Sequence, residues 1–101
     1  MQWHSRKLVS VICEAALERQ LITEAQALGI SGYTISDVRG GGTRGVRGGE
    51  WEAERSIEFK VVCDGAAAEQ LCSALMERYA AHFALVLYVS DVGVLRAGKF
   101  T

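Results

Sequence analysis

Six of the ten residues from 40 to 49 are glycine, and the chain contains no proline at all. Glycine gains backbone freedom at the expense of ordered structure, so the run predicts neither helix nor strand interior there. It splits the chain into two halves, and each half must supply its own regular structure. A loop spanning about residues 40–55 is expected, with folded segments on both sides.

The first half opens with Lys7–Cys13 (KLVSVIC), short, apolar and β-branched, which predicts a strand; His4 before it reads as part of a frayed terminus. From Ala16 to Leu28 the period changes. Leu17, Leu21, Ala25 and Leu28 recur on one helical face, and Gly29 follows as the stop. Tyr33–Val38 (YTISDV) is again alternating and β-branched, which predicts a second strand. In the second half, Ile57, Phe59, Val61 and Cys63 alternate with Glu58 and Lys60 along Ser56–Cys63. Asp64 is placed to cap a helix whose apolar face is Ala68, Leu71, Cys72, Leu75 and Tyr79. Ala84–Val89 (ALVLYV) predicts a last core strand, and Val94–Thr101 a short edge strand.

The order β-α-β-loop-β-α-β is that of the ferredoxin-like split βαβ fold. It predicts an α+β domain with a four-stranded antiparallel sheet and both helices on one face. At 101 residues one domain, 1–101, accounts for the chain. Leu8, Ile12 and the 84–89 strand would leave apolar surface on the open sheet face, which predicts association with other subunits.

A net charge of -1 supplies no global attraction to nucleic acid or membrane. No segment approaches the roughly 20 apolar residues of a membrane span. Cys13, Cys63 and Cys72 form no CxxC pair and sit in apolar runs, so reduced buried thiols are expected, with a regulatory disulfide as the alternative. The start, Met1-Gln2-Trp3-His4, does not read as a signal peptide, and a cytoplasmic protein is expected. His4 and His82 have no cysteine or carboxylate at ligand spacing, so no metal site is expected. No catalytic motif is present, so an enzyme is not expected.

The chemistry concentrates in the loop. Arg39 to Arg47 (RGGGTRGVR) carries three positive charges in nine residues and no acid. Glycine backbones let N–H groups converge on an anion, and arginine forks bind phosphate oxygens bidentately. Thr43 adds a hydroxyl donor. This is not the GxxxxGK[ST] phosphate loop, because that pattern is absent and a strand follows. Glu50, Trp51 and Glu52 make the second half acidic, and a tryptophan there marks a partner-binding surface. Arg39-Gly40-Gly41 and Arg47-Gly48-Gly49 also look like RGG repeats, which keeps an RNA-binding reading open.

The stretch Gly32–Gly42 (GYTISDVRGGG) resembles the approach of PII signalling proteins to their long T-loop, and the likeness extends over nearly the whole chain. Gly40–Arg47, spaced GGxTRxVR, is similar to the phosphate-binding loop of the PII-like proteins of carbon-concentrating systems. Those are the carboxysome-associated PII-like proteins and the PII-like partner of the sodium-dependent bicarbonate transporter. The resemblance implies a homotrimer with nucleotide sites in the clefts between subunits. It implies AMP, ADP or ATP as effector, with bicarbonate as an associated one, and no catalytic cofactor. Gly40, Gly41, Gly42, Thr43, Arg44 and Arg47 would lie on the phosphates. Thr34 and the backbone of Leu85, Val86 and Leu87, the latter from the adjacent subunit, would lie near the base. Lys99 is a further phosphate candidate, beside the plainer reading of an exposed lysine. The implied partner is a membrane bicarbonate transporter or a carboxysome-related protein, and no nucleic acid.

The chain departs from the family at Tyr79–Phe83 (YAAHF), where PII proteins carry a GDGK-type loop whose lysine holds phosphate. Phosphate binding then rests more on Arg44 and Arg47. No tyrosine stands at the loop tip, since Tyr33 reads as part of a strand, so tip modification is not expected. Two other readings stay open: a trimeric interaction module that binds no nucleotide, and an RGG-type RNA-binding domain.

Overall fold

The alternation in the two apolar strand segments becomes the centre of a sheet. In the computed structural model, which describes residues 1–42, 45–47 and 55–100 (at 42 and 45–47 the backbone alone), β1 is His4–Glu14 and β2 is Thr34–Val38. After the glycine-rich β3 (Gly40–Gly42) and β4 (Gly45–Arg47) come β5 (Ser56–Cys63) and β6 (Val86–Val94). The helices are α1, Glu18–Ala27, and α2, Gly65–Arg78. The four-stranded sheet runs β2-β5-β1-β6 and every pairing is antiparallel. That is the ferredoxin-like arrangement expected from the element order.

Register sets the two faces. Val9 lies opposite Val61, Val11 opposite Phe59 and Cys13 opposite Ile57. All six are at most 2% exposed, beneath Leu17, Leu21 and Ala25 on one side and Ala68, Leu71 and Leu75 on the other. Burial of so many apolar side chains in one contiguous cluster is the main stabilising contribution. Helix ends follow local chemistry. Asp64 Oδ1 accepts from the Ala67 N–H at 2.8 Å and so caps α2. Gly29 has φ +79°, the left-handed conformation that closes α1. Glu24 joins the two helices, accepting from Arg78 Nη1 at 2.5 Å and from the Tyr79 hydroxyl at 3.0 Å.

On the other face Leu8 and Ile12 are half-buried, while Val86 and Tyr88 are 45% and 46% exposed. Tyr88 donates its hydroxyl to Glu58 Oε2 at 3.0 Å. The bond spans β1, and Ser10 of that strand is buried. Cys13 and Cys63 are buried and Cys72 partly so, and all three are reduced, outside any disulfide. Among the described residues no His, Cys, Asp and Glu cluster could hold a metal ion. Among the same residues no helix is long and apolar enough to cross a membrane.

Several boundaries differ from the sequence reading. The glycine run does carry strand: Gly40 pairs with Arg47, Gly41 with Val46 and Gly42 with Gly45. A ladder needs only backbone N–H and C=O groups, so the absence of side chains does not prevent it. His4 is the first residue of β1, paired with Val94, not frayed. The last strand starts at Val86 rather than Ala84, because the Leu85 N–H turns back to the Phe83 carbonyl. It then continues to Val94 along the whole of β1. The tail adds no edge strand among the described residues. It forms a 3₁₀ turn over Ala97–Lys99, and Arg6 donates to the carbonyls of Ala97 and Phe100. Tyr33 precedes β2 and stacks on Phe59, ring centroids 5.8 Å apart. The first helix begins later than expected, after a 3₁₀ turn at Ala15–Leu17.

Candidate functional site

The glycine- and arginine-rich segment is mounted between β2 and β5 at one end of the sheet. Val38, the last residue of β2, lies opposite Ser56, the first of β5. Ser56 is buried, and lies opposite Glu14 at the end of β1. The Ala15 N–H donates to the Arg55 carbonyl at 2.9 Å, so the returning leg is pinned to β1. Across this neck Arg55 Nη2 donates to Asp37 Oδ1 at 2.9 Å. Both side chains are substantially exposed, so the pair adds little to stability and can exchange partners.

Glu14 links the neck to the start of β6. Its Oε1 accepts from the Ala84 N–H at 3.3 Å, and its Oε2 is buried with no hydrogen-bond partner among the described residues. The carboxylate thereby fixes the backbone that leads into Leu85, Val86 and Leu87.

Of the residues expected to contact ligand, Gly40, Gly41 and Gly42 form β3, and Arg47 ends β4 opposite Gly40. Thr34 is exposed at the start of β2, opposite Lys60. Leu85 and Leu87 are half-buried against the core, and Val86 is exposed opposite Ile12. Thr43, Arg44, Glu50, Trp51 and Glu52 lie outside the described residues. Within one chain these parts do not converge. Thr34 is on the β2 edge and Leu85–Leu87 at the β6 edge, with β5 and β1 between them. Three strand spacings make that about 14 Å. Lys99 is farther still. It lies beside Phe100, which Arg6 holds, and Arg6 is eight residues down β1 from Glu14, about 27 Å along the strand.

The sequence reading missed Asp37, Arg55 and Glu14. Opposite charges flanking the loop were visible, but only the Val38–Ser56 register shows that Asp37 and Arg55 meet. A separate cavity of about 300 Å³ lies between α2 and β6, lined by Lys7, Ala68, Cys72 and Val89 among others. It contains none of the expected site residues. Burial and the neighbouring Glu69 raise the Cys72 thiol pKa, so this thiol resists ionisation.

Comparison with known proteins bears on this arrangement. No curated protein sequence matches the chain significantly. Among solved structures it is similar to a Thermus thermophilus protein assigned as PII-like and signalling. They share 36% identity and a TM-score of 0.86, with 100% of both chains covered. It is also similar to CPII, a nitrogen regulatory PII-like protein from Thiomonas intermedia K12 solved with ADP, AMP and bicarbonate. Here identity is 24% and the TM-score 0.88, covering 98% of this chain and 96% of that one. B. subtilis GlnK, solved with ATP, shares the fold at 14% identity and a TM-score of 0.66, covering 87% and 82%. The family model of nitrogen regulatory protein P-II matches residues 6–99, nearly the full length. The chain belongs to the nitrogen regulatory protein P-II family.

Proposed function

We propose that this protein is a PII-like signalling protein that binds an adenine nucleotide in the clefts between subunits of a homotrimer. Gly40, Gly41, Gly42, Thr43, Arg44 and Arg47 take the phosphates. Thr34 of one subunit and the 85–87 backbone of its neighbour face the base. The observation that carries the reading is the glycine–arginine segment itself, mounted at the sheet end between β2 and β5. CPII, which was solved with ADP, AMP and bicarbonate, has the same fold over nearly its whole length. The roughly 14 Å between Thr34 and Leu85–Leu87 within one chain supports a shared site, since one subunit alone cannot close around a base.

The proposed role is regulation of inorganic-carbon uptake or fixation in the cytoplasm, with bicarbonate as a second effector. Nucleotide would order the loop and present or withhold Glu50, Trp51 and Glu52 to a bicarbonate transporter or a carboxysome-related protein. The protein acts as a regulator and not as an enzyme. Calorimetry with AMP, ADP and ATP, with and without bicarbonate, tests this. Micromolar binding of at least one nucleotide is expected, and no heat at millimolar ligand overturns the reading.

The competing interaction-module reading draws on the open sheet face, where Val86 and Tyr88 stay exposed. It predicts a trimer that binds no nucleotide. The RNA reading loses its footing. The central strands offer Phe59 as their one large aromatic, and it is fully buried on the helix side, where no base can stack.

A further inference from the structure

From the loop neck we infer that Arg39 and Arg55 form a two-guanidinium phosphate clamp, and that Asp37 is its built-in competitor. The inference rests on the nucleotide reading above and adds three residues to that site. The antiparallel register pairs Asp37 with Ile57 and Val38 with Ser56. Carried one step further, it puts Arg39 opposite Arg55. Facing residues on antiparallel strands have Cβ atoms about 5 Å apart, and like charges so placed repel. Alternation sends Asp37 and Arg39 to the same side of the strand, the side where Arg55 meets Asp37. Arg39 is exposed and has no carboxylate partner among the described residues. Among the described residues, alternation therefore brings two guanidinium groups to the side of the strands that carries the Asp37 carboxylate, directly beside the glycines of β3.

A phosphate has the geometry to bridge two guanidinium forks, and it relieves their repulsion better than a single carboxylate does. The Asp37–Arg55 pair is exposed on both sides and costs little to open. Asp37 thus occupies Arg55 when phosphate is absent and releases it when phosphate binds. The returning leg stays fixed throughout by the Ala15–Arg55 backbone bond. The exchange reports nucleotide occupancy at the root of the loop.

Titration of the wild-type protein and of Asp37→Asn, Arg39→Gln and Arg55→Gln with ADP, with adenosine and with bicarbonate tests the clamp. Removing the competitor in Asp37→Asn should tighten ADP about threefold, as expected for loss of an exposed ion pair. Either arginine change should weaken ADP about tenfold, as expected for a charge-assisted hydrogen bond. Adenosine, which has no phosphate, should bind all four proteins equally. A purely structural neck pair predicts the opposite sign for Asp37→Asn, with ADP and adenosine weakened together, and that result overturns the clamp. Altered bicarbonate binding with unaltered ADP binding overturns the phosphate assignment. If the wild-type protein binds no ADP, the nucleotide reading itself fails; if it binds ADP and the variants match it, only the clamp fails.

Discussion

At the scale of single residues, the fold depends on a few side chains whose replacement has a definite sign. Asp64 satisfies an otherwise orphaned amide at the start of α2, so Asp64→Ala should lower unfolding stability by about 1 kcal/mol in urea titration. Gly29 sits at φ +79°, where a Cβ meets no neighbouring atom but the conformation itself is unfavourable. Gly29→Ala should therefore cost about 1 kcal/mol through backbone strain alone, with no cavity or clash, and the same titration reads it. The cap and the glycine stop were both legible from sequence, because each depends on residues within a few positions. Glu14 was not. Its bond to Ala84 crosses 70 residues of chain, and nothing in its sequence neighbourhood signals it. The same holds for the site: the glycine–arginine run announces anion chemistry by composition, whereas the meeting of Asp37 with Arg55 requires the strand register.

At the scale of elements, β5 matched its expected bounds because Ser56–Cys63 alternates without interruption and pairs with a strand on each side. The β3–β4 hairpin escaped notice because glycine carries no side-chain period to read, and its ladder is purely a matter of backbone pairing. The length of β6 was likewise unreadable locally, since the pairing with β1 carries it past Ser90 and Asp91. The two helices are tied by Glu24, and this contact has a pH signature. Burial, then the hydrogen bond to Glu24, raise the Tyr79 phenol above its usual pKa of 10.0. A raised folded-state pKa means that the protonated phenol is favoured by folding. Its contribution is fully present below the unfolded-state pKa and is lost as pH rises through the folded-state value. Thermal stability of the wild-type protein should fall faster above about pH 10 than that of Tyr79→Phe, whose phenyl ring cannot ionise. Parallel loss in both proteins would mean that the contact does not couple to folding.

At the scale of the whole molecule, assembly and ligand binding are one equilibrium if the site lies between subunits. The sheet leaves Val86 and Tyr88 exposed on the face opposite the helices, with Leu8 and Ile12 half-buried beside them. Tyr88→Arg puts a cation on that face. The arginine can still pair with Glu58, the partner of the tyrosine hydroxyl, so the subunit keeps an internal contact and its fold. Burying the new charge against another subunit is costly, so the variant should sediment as a monomer and the wild-type protein as the proposed trimer. Nucleotide that bridges two subunits binds the trimer and not the separated chains, so ADP should raise the wild-type melting temperature in a concentration-dependent way. The same ADP should leave monomeric Tyr88→Arg unshifted, although no proposed phosphate ligand has been changed. A monomer that kept the full ADP shift would place the nucleotide within one chain, and would force Thr34 and Leu85–Leu87 out of a common site. A variant that stayed trimeric would instead move the assembly surface off the open face of the sheet.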